Sequence, residues 1–373
     1  MIIEARVAAR GLLVVLACAA GAASAQIRIG QTTGLTGPVA ASVTETVQGA
    51  RLVIDAVNAR GGVLGQKIDL ITLDDKFDPK LAAANAAKLI DEHKVVALFL
   101  NRGTPHSEAI LPLLAKHRMP LIAPSTGAML LHKPVNPYVF NVRATYQREA
   151  EKLVEHYVAL GLPSIGLVQV NDSFGNDGVE GVMRAFAAAG KKPVFHVKYD
   201  RAKPDFAELV REDRAKQPQA LIFVGSQQHV ADGAKAIRAA GSRAQIATLS
   251  NNASGGFIKA MGEHARGTVV SQVFPAERNT ATALVRDLTA LAEAKGINAV
   301  TPSMLEGYAA ARVLVAALER AGKSPTSERI LDALNGLGRF DLGGMEVAYS
   351  PADHTGLQFV DISVIDGSGV FRR

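Results

Sequence analysis

Cysteine is almost missing from this chain: of 373 residues only Cys18 carries a thiol. A single thiol cannot make an intrachain disulfide, so buried apolar surface must hold the fold, and a chain of this length can supply it. Tryptophan is absent and aromatic residues make up 5%. The bases are scattered singly among acids, and the formal net charge is +6. Neither the stacking platforms nor the basic stripes of nucleic-acid readers are present, so no nucleic-acid partner is expected. Long hydrophobic runs are lacking too. The apolar stretch Gly11–Ala20 is about half of the ~20 residues that span a bilayer. There is no P-loop, no G-x-G-x-x-G after the first strand and no G-x-S-x-G elbow. The nine histidines are dispersed, with no H-x-x-x-H pair. Asp74-Asp75 reads as loop and cap acids, because neighbours in extended chain point apart. No enzyme, no cofactor and no metal site is expected.

What is present begins with an address. Met1–Arg10 carries Arg6 and Arg10 against Glu4, Gly11–Ala20 is apolar, and Ala23-Ser24-Ala25 offers small residues at both recognition positions. That is the order of a secretory signal, residues 1–25, cleaved before Gln26. The expected location is the periplasm. A second reading of the same stretch, a lipid-anchored Cys18 after Val15-Leu16-Ala17, fits less well because Leu16 is unsuited to that place.

Beyond the signal, strand and helix patterns alternate. Ile27–Gly30 opens as a strand, and Val47, Ala50, Val53, Ile54 and Val57 recur at helical spacing until Gly61-Gly62. Asp78-Pro79 reads as a cap followed by a first-turn proline. Val95–Leu100 is a continuous apolar strand, as a strand covered on both faces should be. The alternation resumes from Glu149, with strands at 165–170, 194–199, 220–224 and 246–249. Strands separated by helices imply parallel sheets with right-handed crossovers. The expected class is α/β, with two doubly wound parallel-sheet lobes. Extended segments at Tyr138–Val142, Thr268–Pro275 and within Glu346–Phe371 read as returns between lobes, or else as ordinary strands of one large sheet. The two-lobe reading assigns 26–140 and 276–350 to lobe 1, and 141–275 and 351–373 to lobe 2.

Several short motifs, in order, carry a resemblance. They are Thr33-Gly34-Leu35-Thr36-Gly37-Pro38, Gly61-Gly62-Val63-Leu64-Gly65, Asp74-Asp75, Pro120-Leu121-Ile122-Ala123-Pro124-Ser125, Tyr138-Val139-Phe140-Asn141 and Asn171-Asp172-Ser173-Phe174-Gly175. From Ile27 to Asp366 the chain resembles the leucine/isoleucine/valine-binding type of periplasmic solute receptor. The resemblance implies the type I periplasmic binding protein fold: two α/β lobes joined by three hinge crossovers, closing on a ligand that touches both. It also implies delivery of a small organic ligand to the membrane permease of an ABC transporter. A monomer is expected.

Loops at the C-terminal ends of parallel strands should line the cleft. In the first lobe these hold Ser42, small where relatives often carry an aromatic residue, then Arg102 and Thr104, then Ser125 and Thr126. Thr104 stands where relatives hold a ligand carboxylate with serine, and Ser125 and Thr126 where they hold carboxylate and ammonium. Arg102 could pair with a carboxylate bidentately. In the second lobe Phe174 takes a common tyrosine position, Ser226 and Gln227 replace an aromatic region, and the acid that holds an α-ammonium falls near Asn251 or Asn252, both uncharged. A buried ammonium without a carboxylate is costly. The expected ligand is therefore a carboxylate-bearing or polar amide-like compound. The alternatives are a branched-chain amino acid, or a ligand sensed on behalf of a signalling partner.

Overall fold

The computed structural model describes residues 26–373; the signal segment and Cys18 lie outside the described residues. Strand β1 (Ile27–Thr33) leads to helix α1 (Ala40–Ala59), β2 (Ile68–Asp74), α2 (Pro79–Asp91), β3 (Ala97–Phe99), α3 (Thr104–His117), β4 (Leu121–Ile122) and β5 (Val139–Phe140). The five strands form a parallel sheet in the order β2-β1-β3-β4-β5. Asp78 starts α2 as its sequence suggests. Its carboxylate accepts from the backbone N–H of Lys80 at 2.8 Å, and Pro79 occupies the first turn, where no N–H partner is missed.

The chain then crosses to a second unit: α4 (Tyr146–Ala159), β6 (Ile165–Val170), α5 (Ser173–Ala188), β7 (Phe195–Tyr199), α6 (Ala207–Lys216), β8 (Ala220–Val224), α7 (Gln227–Ala239), β9 (Gln245–Thr248), α8 (Gly255–Met261) and β10 (Val269–Gln272). It returns for α9 (Ala283–Glu293), α10 (Pro302–Ala321), α11 (Ser327–Asn335) and a hairpin of β11 (Gly338–Asp341) and β12 (Glu346–Tyr349). A last crossing brings β13 (Asp361–Ile365) and β14 (Phe371–Arg372) to the second sheet, ordered β14-β13-β10-β9-β8-β6-β7. Strands β6 to β10 run parallel, whereas β13 and β14 are antiparallel additions at one edge. The fold class is thus α/β with two doubly wound sheets and three crossovers. Among the described residues eleven α-helices cover the sheets.

Each unit has its own core. The first unites β1 and β3 with α1, α10 and the returning segment Val273–Phe274. Helices α1 and α10 approach closely through paired glycines. A Cβ on Gly49 would stand 2.0 Å from the Met304 carbonyl oxygen, and one on Gly307 would stand 1.8 Å from that of Thr46. Only glycine admits backbone contact of this kind, despite its entropic cost within a helix. The second core unites β6 to β10 with α4, α5 and α7. Within Thr268–Pro275, read from sequence as a return, β10 belongs to the second sheet and the crossing starts at Val273.

The crossings are tied to one another. Asn141 N donates to the His354 carbonyl at 2.9 Å, Leu357 N to that of Val142 at 2.9 Å, and the Tyr349 hydroxyl to that of Asn141 at 2.6 Å. Deeper in, the fully buried Arg143 donates to Glu149 and, at 2.6 Å, to the Ser250 hydroxyl, and lies 3.8 Å from Glu306. Glu149 also accepts from Ser250 N at 2.8 Å and from the Ser271 hydroxyl at 2.6 Å. Burial works against the Arg143 charge, but Tyr146, Glu149 and Glu306 together hold its pKa above the ordinary arginine value.

The lobes touch on the outer side of the cleft as well. Glu45 on α1 accepts from Gly255 N at 3.1 Å and Gly256 N at 2.8 Å, at the start of α8. A Cβ on Gly256 would stand 2.4 Å from that of Ala41.

Candidate ligand cleft

Between the two sheets lies a small cavity of about 20 Å³, room for a water molecule. Its ten lining residues are Val39, Phe77, Arg102, Gly103, Thr104, Tyr146, Phe174, Arg201, Ser226 and Asn251. Each follows the C-terminal end of a parallel strand, from β1 (Val39) through β9 (Asn251). Open α/β sheets concentrate ligand sites at these ends, because successive loops converge there while helices cover the faces. A larger depression of about 580 Å³ carries Glu277, Arg278 and Glu293 among its walls, charges of both signs without a common aim.

The lining sorts into donors and flat apolar surface, and none of the ten residues is Asp or Glu. Three of them, Val39, Gly103 and Ser226, are the residues immediately before α1, α3 and α7, and at none of these positions does a side chain cap the helix. Elsewhere Asp78, Thr145, Asp172, Ser254, Thr301 and Thr326 cap α2, α4, α5, α8, α10 and α11. Uncapped first-turn N–H groups and the positive helix ends favour an anion in front of them.

Arg102 is the central cation. It is 4% exposed, donates to the Ser125 hydroxyl at 3.0 Å, and reaches across the cleft to the Asn251 carbonyl at 2.6 Å. Both acceptors are neutral, and among the described residues no carboxylate pairs with it. The nearest acid in this network, Glu306, accepts from Ser125 at 2.7 Å and belongs to the Arg143 cluster. Thr104 and Thr126 share a hydroxyl hydrogen bond of 2.7 Å.

Aromatic walls complete the cleft. Tyr146 meets Phe174 edge-on with centroids 4.9 Å apart, and Arg143 lies 4.5 Å over the Tyr146 ring from behind. Phe77 stacks on His106 at 4.3 Å and carries Arg201 of the other lobe 5.1 Å above its ring. Burial pushes His106 down to about 4, so it forms a neutral backing at pH 7. The Phe77 loop is held by the two acids after β2. Asp75 accepts from Phe77 N at 2.9 Å and from the Thr32 hydroxyl at 3.1 Å, while Asp74 accepts from Lys76 N at 2.9 Å and the Thr36 hydroxyl at 2.6 Å. Desolvation raises Asp75 to about 6.

Of the residues singled out from sequence, Arg102, Thr104, Phe174, Ser226 and Asn251 line the cavity, and Ser125 and Thr126 bond directly to two of them. Two are corrected. Ser42 turns back on its own helix and donates to the Val39 carbonyl at 3.0 Å. Gln227 is the first residue of α7, one place behind the wall that Ser226 forms. Val39 and Gly103 fall in the loops 34–42 and 101–104 expected to line the cleft, whereas the sequence reading missed Phe77, Tyr146 and Arg201. All of them follow strand ends, so the strand-end rule carried into every loop of both lobes would have reached them.

A family model, periplasmic binding protein, matches residues 26–369. Leu/Ile/Val-binding protein homolog 3 of Brucella melitensis is 28% identical over 324 residues, 85% of this chain and 85% of that protein. A solved structure titled as a possible leucine/isoleucine/valine-binding protein from Rhodopirellula baltica superposes with a TM-score of 0.88 at 28% identity, covering 95% of this chain and 97% of that one. A substrate-binding periplasmic protein from Ralstonia solanacearum gives 0.85 at 28% identity, covering 93% and 99%.

Proposed function

The chain belongs to the periplasmic binding protein family, and from that premise we propose that it captures a carboxylate-bearing or polar amide-like organic solute in this cleft. Loaded, it presents that solute to the permease of an ABC-type importer. It works in the periplasm, with lobe 1 formed by 26–140 and 276–350 and lobe 2 by 141–275 and 351–373.

The observation that carries the ligand class is Arg102. A guanidinium buried to 4% exposure, with only neutral acceptors and the uncapped starts of α1 and α3 in the same cavity lining, is a site built for negative charge. An isolated buried charge costs several kcal/mol, and a ligand carboxylate in bidentate contact offsets that cost. Thr104, Ser125 and Thr126 supply hydroxyls beside it, and Phe174 with Tyr146 closes over the apolar part of the solute. Since no acid lines the cavity, an α-ammonium group finds no counter-charge there.

A thermal-shift screen of the purified protein tests this directly, because a ligand that binds only the native state raises the melting temperature. Organic acids are expected to raise it, and neutral sugars and polyamines to leave it in place. A stabilising polyamine and inert acids would overturn the reading. A branched-chain amino acid is the second reading. It draws on the names of the relatives and on the buried Asn251 Oδ1, an acceptor with no partner. Leucine, isoleucine and valine therefore belong in the same screen.

A further inference from the structure

We infer that the cleft has a second polar pole, on the second lobe, and that its solute is an acid bearing another oxygen acceptor at its far end and no ammonium group. Dicarboxylates and oxo-acids share this chemistry. The inference rests on the carboxylate reading of Arg102 and extends it to the opposite wall.

The second pole is made by Arg201 and Ser226. Arg201 follows β7 and spends Nε and Nη2 on Asp172 Oδ2, each at 2.5 Å. Its Nη1 is buried and has no partner. Ser226 stands at the start of α7, where serine ordinarily caps, yet its hydroxyl bonds to no backbone N–H and has no other partner. The residue is 2% exposed and lines the cavity. Leaving a buried polar atom without a partner is unfavourable. Side by side, such donors signal an acceptor from outside the chain.

Charge bookkeeping fixes the kind of acceptor. The Asp172 carboxylate is consumed by Arg201 and by the N–H groups of Phe174 and Gly175, at 3.0 and 3.1 Å. This pole therefore offers directed N–H and O–H donors with little net charge, suited to carboxylate, carbonyl or hydroxyl oxygen. An ammonium group would find no free carboxylate at this pole. The two poles belong to opposite lobes: Arg102 follows β3 and Arg201 follows β7, and both line the cavity. The rings of Phe77, Tyr146 and Phe174 line the same cavity and suit the apolar part of a solute.

Titration calorimetry on the purified protein, with succinate, adipate and 5-oxohexanoate against butyrate, hexanoate and leucine, tests the inference. Two-ended acids are expected to bind at least about tenfold tighter than matched one-ended acids. Ser226→Ala should erase that preference by weakening the two-ended acids far more than the one-ended acids. Ser226→Ala removes one hydroxyl and leaves the Arg201–Asp172 pair intact, so folding is preserved. Adipate against 5-oxohexanoate separates a charged from a neutral far end. Equal binding of one-ended and two-ended acids, or equal weakening of both by Ser226→Ala, overturns the second pole and leaves Arg102 standing. Failure of every acid to bind overturns the carboxylate reading and this inference with it.

Discussion

Arg143 at the crossing and Arg102 in the cleft are both buried arginines that reach loop 250–251 of the second lobe, yet their surroundings are opposite. Arg143 has Glu149 and Glu306 around it and a hydroxyl besides. Arg102 has a serine hydroxyl and a backbone carbonyl, and no acid. One charge is balanced within the chain and joins α4, α10, β10 and loop 250–252 into a fixed pivot. The other is balanced only by what enters the cleft. Burial by itself does not separate a structural cation from a binding one; the counter-charge does.

The most severe way to break the comparison is Arg143→Met. It strands Glu149 without its cation and is expected to cost about 3–5 kcal/mol of stability, read from urea unfolding. Arg102→Met is expected to do the reverse. It should leave unfolding within about 1 kcal/mol of the parent, because no acid is stranded. It should remove about 2–3 kcal/mol of acid binding, close to a hundredfold, by calorimetry. Equal destabilisation by both substitutions would erase the distinction. Thr104→Ala sharpens it further by removing one neutral hydroxyl beside Arg102, and affinity for the true ligand should fall about tenfold or somewhat more. An unchanged affinity counts against this wall as the site.

The smallest effect concerns a third buried charge, Glu45, which reaches from α1 to the start of α8. Burial raises its pKa, more than its hydrogen bonds to Thr301, Gly256 and Gly255 lower it. A carboxyl whose folded pKa lies above the unfolded value adds stability fully below the unfolded pKa and loses it as pH rises through the folded one. Glu45→Gln should therefore flatten the decline in stability from acid pH toward neutrality, measured by melting temperature across pH. An unaltered slope would show that another group sets the decline.

Much of the architecture was legible because the sequence says the same thing at several levels. Continuous apolar runs such as Ala220–Val224 fit strands covered on both faces, and Asp78-Pro79 and Asp172 mark helix starts with residues that bind free N–H groups. Legibility failed where the fold departs from alternation. β4 and β5 are two residues each, too short for a periodic signal, and β10 resembles a connector because its antiparallel neighbour β13 comes nearly ninety residues later. The cleft was legible where a single loop concentrates polar groups, as in Arg102–Thr104. Its other half was not. Arg201 and Phe77 meet only because two lobes fold toward each other, and neither carries a local motif. The Arg143–Glu306 proximity joins the first crossing to α10, a pairing that periodicity cannot show.

The span of Arg102 to the Asn251 carbonyl has a kinetic consequence. The same side chain that awaits cargo also clasps the opposite jaw, so a newcomer must wait for the clasp to loosen. Association rates should climb with solute concentration and then level off at the rate of spontaneous opening. A receptor of this design limits how fast it fills by its own grip, whatever the abundance outside.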